Sequence, residues 1–262
     1  MKTVNGHGTA VLCGGSQGIG LATAGILLDQ GLSVAIVGRD AHRLDAAVAS
    51  LASRGTATGV VADATDPASL GQAFDAIGDK WGQVNILINT IGSSVVGSFE
   101  QLEDTDWDRA FNEGTLSAVR SIKLVLPLMR PAQWGRIVNV TAMSVQHQSP
   151  LLIAYTASKA ALASITKNFA RSLAADGILV NAVAPGSVLT GGVAAAVRAA
   201  GGDPSDPVDS YAILAERFGA HIDLGRVAEP VEVAEVVAFC ASRANTFMTG
   251  AHINVDGGSD FT

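Results

Sequence analysis

Cysteine occurs only twice in the chain, at Cys13 and Cys240. Two thiols so far apart supply neither a disulfide framework nor a paired zinc motif, and both read as buried. Histidine offers no metal set either: His7, His42, His147, His221 and His252 fall in no i, i+4 or His-x-His spacing. Charge is thin, at 16% of residues with a net of -7, and the 17 Lys and Arg are scattered. The clustered cations that neutralise phosphates are missing, so no nucleic-acid partner is expected. No apolar run approaches the roughly 18 to 20 residues that cross a bilayer, and residues 1–8 lack the apolar core of a signal peptide. No membrane association is expected, and a cytoplasmic chain follows.

What is present is apolar: 48% hydrophobic residues and 29 glycines against 8 prolines, the balance of a chain that buries a large core. At 262 residues it falls in the range that α/β folds occupy as one domain, so a single domain over residues 1–262 is expected. Short β-rich runs recur at 9–13, 33–37, 57–62, 84–88, 136–140, 178–183 and 251–255. Between them lie helix-length segments such as 19–30 and 154–175, with apolar residues three and four apart. The runs are continuously apolar, which predicts strands covered on both faces. The expected architecture is a doubly wound, Rossmann-like α/β domain with a seven-stranded, mostly parallel sheet and right-handed crossovers. One segment breaks the rhythm. Residues 187–226 hold an Ala-rich stretch, the turn-forming Gly201-Gly202-Asp203-Pro204-Ser205-Asp206-Pro207 and a further helical stretch with Tyr211, the make-up of a substrate lid.

The first run leads straight into Cys13-Gly14-Gly15-Ser16-Gln17-Gly18-Ile19-Gly20 and then an apolar helix. Such a strand, turn and helix let the backbone approach a pyrophosphate and aim the free N–H groups of the helix at it. Gly14, Ser16, Gln17, Gly18, Ile19 and Gly20 are the candidate phosphate-binding residues. The spacing Gly-x3-Gly-x-Gly departs from the commoner Gly-x-Gly-x-x-Gly, and a plain tight turn stays open on the pattern alone. Gly14-Gly15-Ser16-Gln17-Gly18 also satisfies Gly-x-Ser-x-Gly, the nucleophile elbow of α/β-hydrolases, with Asp223 and His252 following in suitable order. An elbow normally follows several strands, whereas only thirteen residues precede Gly14; a hydrolase using Ser16 is the remote alternative.

About 20 residues beyond the turn, where an acidic side chain would hold the ribose of NAD, stand Gly38-Arg39. A guanidinium grips a phosphate in two places. NADP(H), with its 2′-phosphate, is therefore preferred and NAD(H) stays possible, Asp40 being the opposing feature. At Tyr155-Thr156-Ala157-Ser158-Lys159 a phenol and an ammonium four positions apart share one face of a helical segment. A phenol of pKa about 10 is a poor base at neutral pH, but an adjacent ammonium favours phenolate and lets the pair exchange a proton with a hydroxyl or carbonyl. On most helices the same pair would be a half-buried aromatic beside a solvated lysine.

Taken in order, Gly14/Gly18/Gly20, Asp63, Asn89-Thr90-Ile91-Gly92, Tyr155/Lys159, Pro185-Gly186-Ser187-Val188-Leu189-Thr190 and Val255-Asp256-Gly257-Gly258 give a chain that resembles the short-chain dehydrogenases/reductases along essentially its whole length. It resembles the family's NADP-dependent ketoreductase and 3-oxoacyl reductase-like members. The resemblance implies an oxidoreductase moving hydride between NADP(H) and an alcohol or ketone. In it Tyr155 would be the acid/base, and Lys159 would hold the nicotinamide ribose and lower the tyrosine pKa. Asp63 and Ala64 would meet the adenine, Asn89 to Gly92, with Ile91, its ribose, and Pro185, Gly186, Val188 and Thr190 the nicotinamide end. A homotetramer assembled through the long helices and the C-terminal strand is also implied. Val95, Val96, Val145, Leu151, Leu152 and the insertion would favour a hydrophobic carbonyl or alcohol substrate, acyl, cyclic or steroid-like.

Three positions depart from the family's pattern. The serine expected thirteen residues before the tyrosine is Ala142, which cannot hydrogen-bond a carbonyl. On extended backbone Thr141 faces away from the side of residue 142 and Ser144 shares it, so Ser144 is the substitute candidate; a loop serine capping nearby backbone is the other reading. The asparagine expected seven residues after Trp107 is Gly114, and Asn112, two positions off, is rotated from it by about 200° on a helix. The usual Asn-Asn-Ala-Gly reads Asn89-Thr90-Ile91-Gly92, a milder change because much of that contact is made by backbone. Loss of one oxyanion-type donor costs roughly 2.7 to 4 kcal/mol in other enzymes, so a protein that binds NADP(H) as a sensor or for a partner is the second reading.

Overall fold

The computed structural model describes residues 8–92 and 95–259; expectations placed on residues 1–7, His7 among them, lie outside the described residues. Strands β1 (Thr9–Cys13), β2 (Ser33–Gly38), β3 (Ala57–Val61), β4 (Ile86–Asn89), β5 (Gly135–Val140), β6 (Ile178–Pro185) and β7 (His252–Val255) form one sheet in the order β3-β2-β1-β4-β5-β6-β7. Every pairing is parallel, so the sheet expected to be mostly parallel is wholly so. The chain winds outward from β1 in one direction and from β4 in the other. Their carboxyl ends part at the switch point where such sheets bind ligands.

Alternation along each strand sorts the side chains into two cores. Leu12, Ile36, Ile88 and Val138 pack under α1 (Gly18–Asp29), α2 (Ala41–Leu51) and α9 (Pro230–Ala241). Val11, Val37, Leu87 and Ile137 pack under α3 (Pro67–Trp81), α5 (Ser117–Met129) and α6 (Ile153–Leu173). Burial on both faces, worth roughly 1.5–3 kcal/mol per large side chain, is why these runs read as unbroken apolar sequence. The edges differ from that expectation. β3 has one neighbour and leaves Val61 59% exposed, and β7 is half-buried along its length.

Helix starts follow local chemistry. The carboxylates of Asp40, Asp66 and Asp206 accept first-turn N–H groups of α2, α3 and α8 (Pro207–Phe218). Between β6 and α9 the chain holds α7 (Gly191–Ala199) and α8, either side of the 200–206 turn. They share a small core of Leu214, Ile222 and Val227 with Leu189, Val193 and Tyr211. Between α4 (Asp104–Phe111) and α5 the helix widens into a π turn at Asn112–Leu116. At the far end of the sheet Trp134 lies between the guanidinium groups of Arg136 and Arg243, each 4.4 Å from its ring centroid.

Candidate active site

The turn from β1 to α1 is built for close approach. Gly14 has φ +90°, and a Cβ there would stand 2.6 Å from Thr90 Oγ1, so position 14 admits glycine alone. Gln17 precedes α1 in extended conformation and its side chain does not cap the helix. The first-turn N–H groups are left to whatever anion sits in the turn. From this point a cleft of about 970 Å³ runs along the carboxyl edge of the sheet. Gly14, Ser16, Gln17, Gly18, Ile19 and Gly20 line its middle, Arg39, Asp63 and Ala64 one end, and Ile91, Gly92, Ser144, Tyr155, Lys159, Pro185, Gly186, Val188 and Thr190 the other. The residues fit an extended dinucleotide, because an uncapped helix start lies between a cationic end and a proton-bearing end.

Asn89 is the exception among the candidates. Its side chain is 3% exposed and turns into the interior, where Ser121 Oγ donates to Asn89 Oδ1 at 2.7 Å and Asn89 Nδ2 donates to Asn139 Oδ1 at 2.9 Å. Asn139 Nδ2 then donates to Thr166 Oγ1 at 2.9 Å. This buried chain ties β4 to β5, α5 and α6, so the Asn89 amide is a structural tie and not a wall of the cleft. Of the substrate-side apolar residues, Val95, Val96 and Leu152 line the cleft, while Val145 and Leu151 do not. Gly192 and Val193 reach it from the insertion. Behind this wall Val95, Ala110 and Ala154 pack with Leu102 and Trp107.

At the adenine end Asp40 is already engaged. It accepts from Arg43 N at 3.1 Å and pairs with Arg43 Nε at 3.1 Å, serving as the helix cap of α2. Arg43 joins Arg39 in lining the cleft, a neighbour the sequence reading missed although it lies one helical turn on. The Asp63 carboxyl accepts from Thr65 N and Thr65 Oγ1 at 2.8 and 2.7 Å. Those bonds, with the Arg39 guanidinium a lesser contributor, hold it below the usual carboxylate range.

Tyr155 and Lys159 stand together on α6, Nζ being 6.0 Å from the phenol ring centroid. Gly92 passes over both: a Cβ there would lie 3.6 Å from Lys159 Nζ and 3.8 Å from Tyr155 Cε2. Lys159 Nζ donates to the carbonyls of Ile91 and Val140, each at 2.9 Å. Burial lowers the Lys159 pKa to about 8 and pushes Tyr155 up to about 12. The lowering of the phenol expected from its ammonium neighbour does not occur; desolvation sets the direction of the shift. At neutral pH the phenol is protonated, the state an acid needs.

Ala142 is 7% exposed and brings no hydroxyl to this end. Thr141 Oγ1 turns away, donating to Val183 O at 3.1 Å and meeting His252 Nε2 at 2.9 Å. Ser144, in the 3-10 turn Met143–Val145, does line the cleft. Asn112 accepts from Arg120 Nη1 at 2.6 Å. Glu113, a lining residue without a sequence signal, sits beside Gly114 on the π turn. The hydrolase alternative fails: His252 is bonded to Thr141 and Asp223 to His221 at 2.8 Å, so neither serves Ser16.

Sheet order, uncapped glycine turn and the Tyr155–Lys159 pair together define a doubly wound nucleotide-binding α/β protein. The family described as Enoyl-(Acyl carrier protein) reductase matches residues 14–260. The oxidoreductase UcpA of Escherichia coli strain K12 is 34% identical over 253 residues, covering 96% of this chain and 94% of its own. L-Sorbose reductase from Gluconobacter frateurii, solved with NADPH and L-sorbose, superposes with a TM-score of 0.92 at 27% identity over 100% of both chains. An NADPH-bound short-chain oxidoreductase from Pseudomonas aeruginosa PAO1, described as containing an atypical catalytic center, gives 0.87 at 30% identity over 96% of each. The chain belongs to the short-chain dehydrogenase/reductase family, whose members use NAD(P), and is an oxidoreductase of that family. Among the described residues no helix is long and apolar enough to cross a membrane.

Proposed function

We propose that this protein is an NADP(H)-preferring carbonyl reductase or alcohol dehydrogenase of a hydrophobic small molecule, acting as a cytoplasmic homotetramer. One observation carries the reading: a half-buried Tyr155 beside the buried Lys159 lines the same cleft as Arg39. When bound, NADPH supplies the hydride. The chain's own residues do the rest. Lys159, anchored on Ile91 O and Val140 O, fixes the phenol and offers its remaining proton to the ribose. Tyr155 gives its proton to the carbonyl oxygen, an acid whose pKa suits reduction better than oxidation. Arg39 and Arg43 meet the 2′-phosphate, since Asp40 is committed to α2. Val95, Val96, Leu152, Val188 and Val193 give an apolar seat for the ketone. NADPH carried by two similar solved structures supports the cofactor choice.

The test is NADPH oxidation against a panel of ketones. Turnover is expected in the wild type and a fall of at least ~100-fold in Tyr155→Phe. Binding of NADPH without Tyr155-dependent turnover would favour the sensor reading, which the missing hydroxyl at Ala142 and the missing amide at Gly114 support. For cofactor choice, Arg39→Ala should weaken NADPH by ~10-fold or more and leave NADH nearly unchanged, read by fluorescence titration; equal losses would overturn the phosphate argument.

A further inference from the structure

Thr156 follows Tyr155 on α6, is 7% exposed, and donates its hydroxyl to Ser144 Oγ at 3.0 Å. Ser144 is 5% exposed and lines the reactive end of the cleft with Ala142, Tyr155 and Lys159. A hydroxyl carries one proton and two lone pairs. Ser144 gives a lone pair to Thr156, and among the described residues its own proton meets no acceptor. A buried donor without an acceptor is unfavourable, and the open side of Ser144 is the cleft. Thr156 is a stiff, β-branched side chain on a helix, one residue from the phenol. It therefore sets the position of Ser144 relative to Tyr155.

We propose that Ser144 and Thr156 form a hydroxyl pair that replaces the serine absent at position 142: Ser144 hydrogen-bonds the carbonyl oxygen of a ketone substrate, and Thr156 is the positioning residue that holds it there. The inference rests on the reductase reading above. No proton leaves Ser144. The carbonyl carbon gains hydride, its oxygen takes the Tyr155 proton, and water restores the phenol. A merely structural serine would also be tied to α6, but it would not be replaceable by a hydroxyl at the neighbouring position.

The experiment uses the full chain with NADPH and either cyclohexanone or ethyl acetoacetate, with Tm and NADPH affinity measured for every variant. Ser144→Ala should lower kcat by about 100-fold or more with NADPH affinity unchanged. Thr156→Val should lower kcat by about tenfold, and Thr156→Ser should keep most of it. Ala142→Ser placed in the Ser144→Ala background should recover at least ~10-fold. If Tyr155→Phe abolishes turnover while Ser144→Ala and Thr156→Val stay within about twofold of wild type, this inference falls alone. A dead Ser144→Ala that Ala142→Ser does not rescue would make Ser144 structural and overturn it too. A wild type with no Tyr155-dependent turnover would overturn the reductase reading and this one together. Should Thr156→Val not fold, Thr156→Ser and the rescue pair still decide.

Discussion

Lys159 is 2% exposed, and among the described residues its ammonium is held by two carbonyls and by no carboxylate. Keeping a cation in such a place is unfavourable, and the consequence is expected in stability as well as chemistry. Its pKa is lowered in the folded protein from 10.5 to about 8. Between about pH 8 and pH 10.5 the unfolded chain therefore binds the extra proton, so this group makes stability rise with pH across that window, by up to about 3 kcal/mol. Tyr155, raised from 10.0 to about 12, works in the opposite sense between those values. Urea unfolding followed from pH 7.5 to pH 9.5 should show the rise in wild type and lose it in Lys159→Met; identical slopes would contradict the assignment. At this scale Tyr155, Lys159 and Arg39 were legible because their chemistry is a spacing along the chain. The inward turn of Asn89 was not, since it depends on Ser121, Asn139 and Thr166, drawn from three other elements. The same holds for Glu113, whose approach to the cleft depends on the π turn.

The π turn at Asn112–Leu116 packs directly on α6. Thr115 Oγ1 donates to Ser158 O at 2.7 Å, and a Cβ at Gly114 would stand 2.5 Å from Ser158 Oγ. The space that an asparagine side chain would need is thus already filled by Ser158, the residue before Lys159. Gly114→Asn should therefore destabilise the protein by about 1–3 kcal/mol rather than repair it, and Ser158→Gly in the same chain should return part of the loss. A double-mutant cycle by thermal unfolding measures this; additive effects would mean that the two positions do not share the space. Elements themselves were read closely from sequence, most strand ends within two residues, because two-sided burial writes unbroken apolar runs. The edge character of β3 was not readable, as it follows from strand order and not from the Ala57–Val61 run. The widening between α4 and α5 was equally silent, as its contacts with Ser158 join segments far apart in the chain.

For the whole molecule the proposed assembly is a homotetramer. Phe247, in the loop before β7, is 96% exposed and Phe239, on α9, is 45% exposed, and β7 is a half-buried edge strand; exposed apolar groups of that kind mark a contact face. Light scattering should give a mass near four times the 26.6 kDa chain, and Phe247→Asp should shift it to smaller species; a monomer in wild type would remove the proposal. The molecule also distributes its three tryptophans with some economy. Trp81 has Lys80 over its ring, Trp134 is clasped by two guanidinium groups at the foot of the sheet, and Trp107 packs with Val95 behind the cleft wall. The tryptophan emission of this chain is thereby divided among separate districts, and of the three only Trp107 borders the place where a ketone would sit.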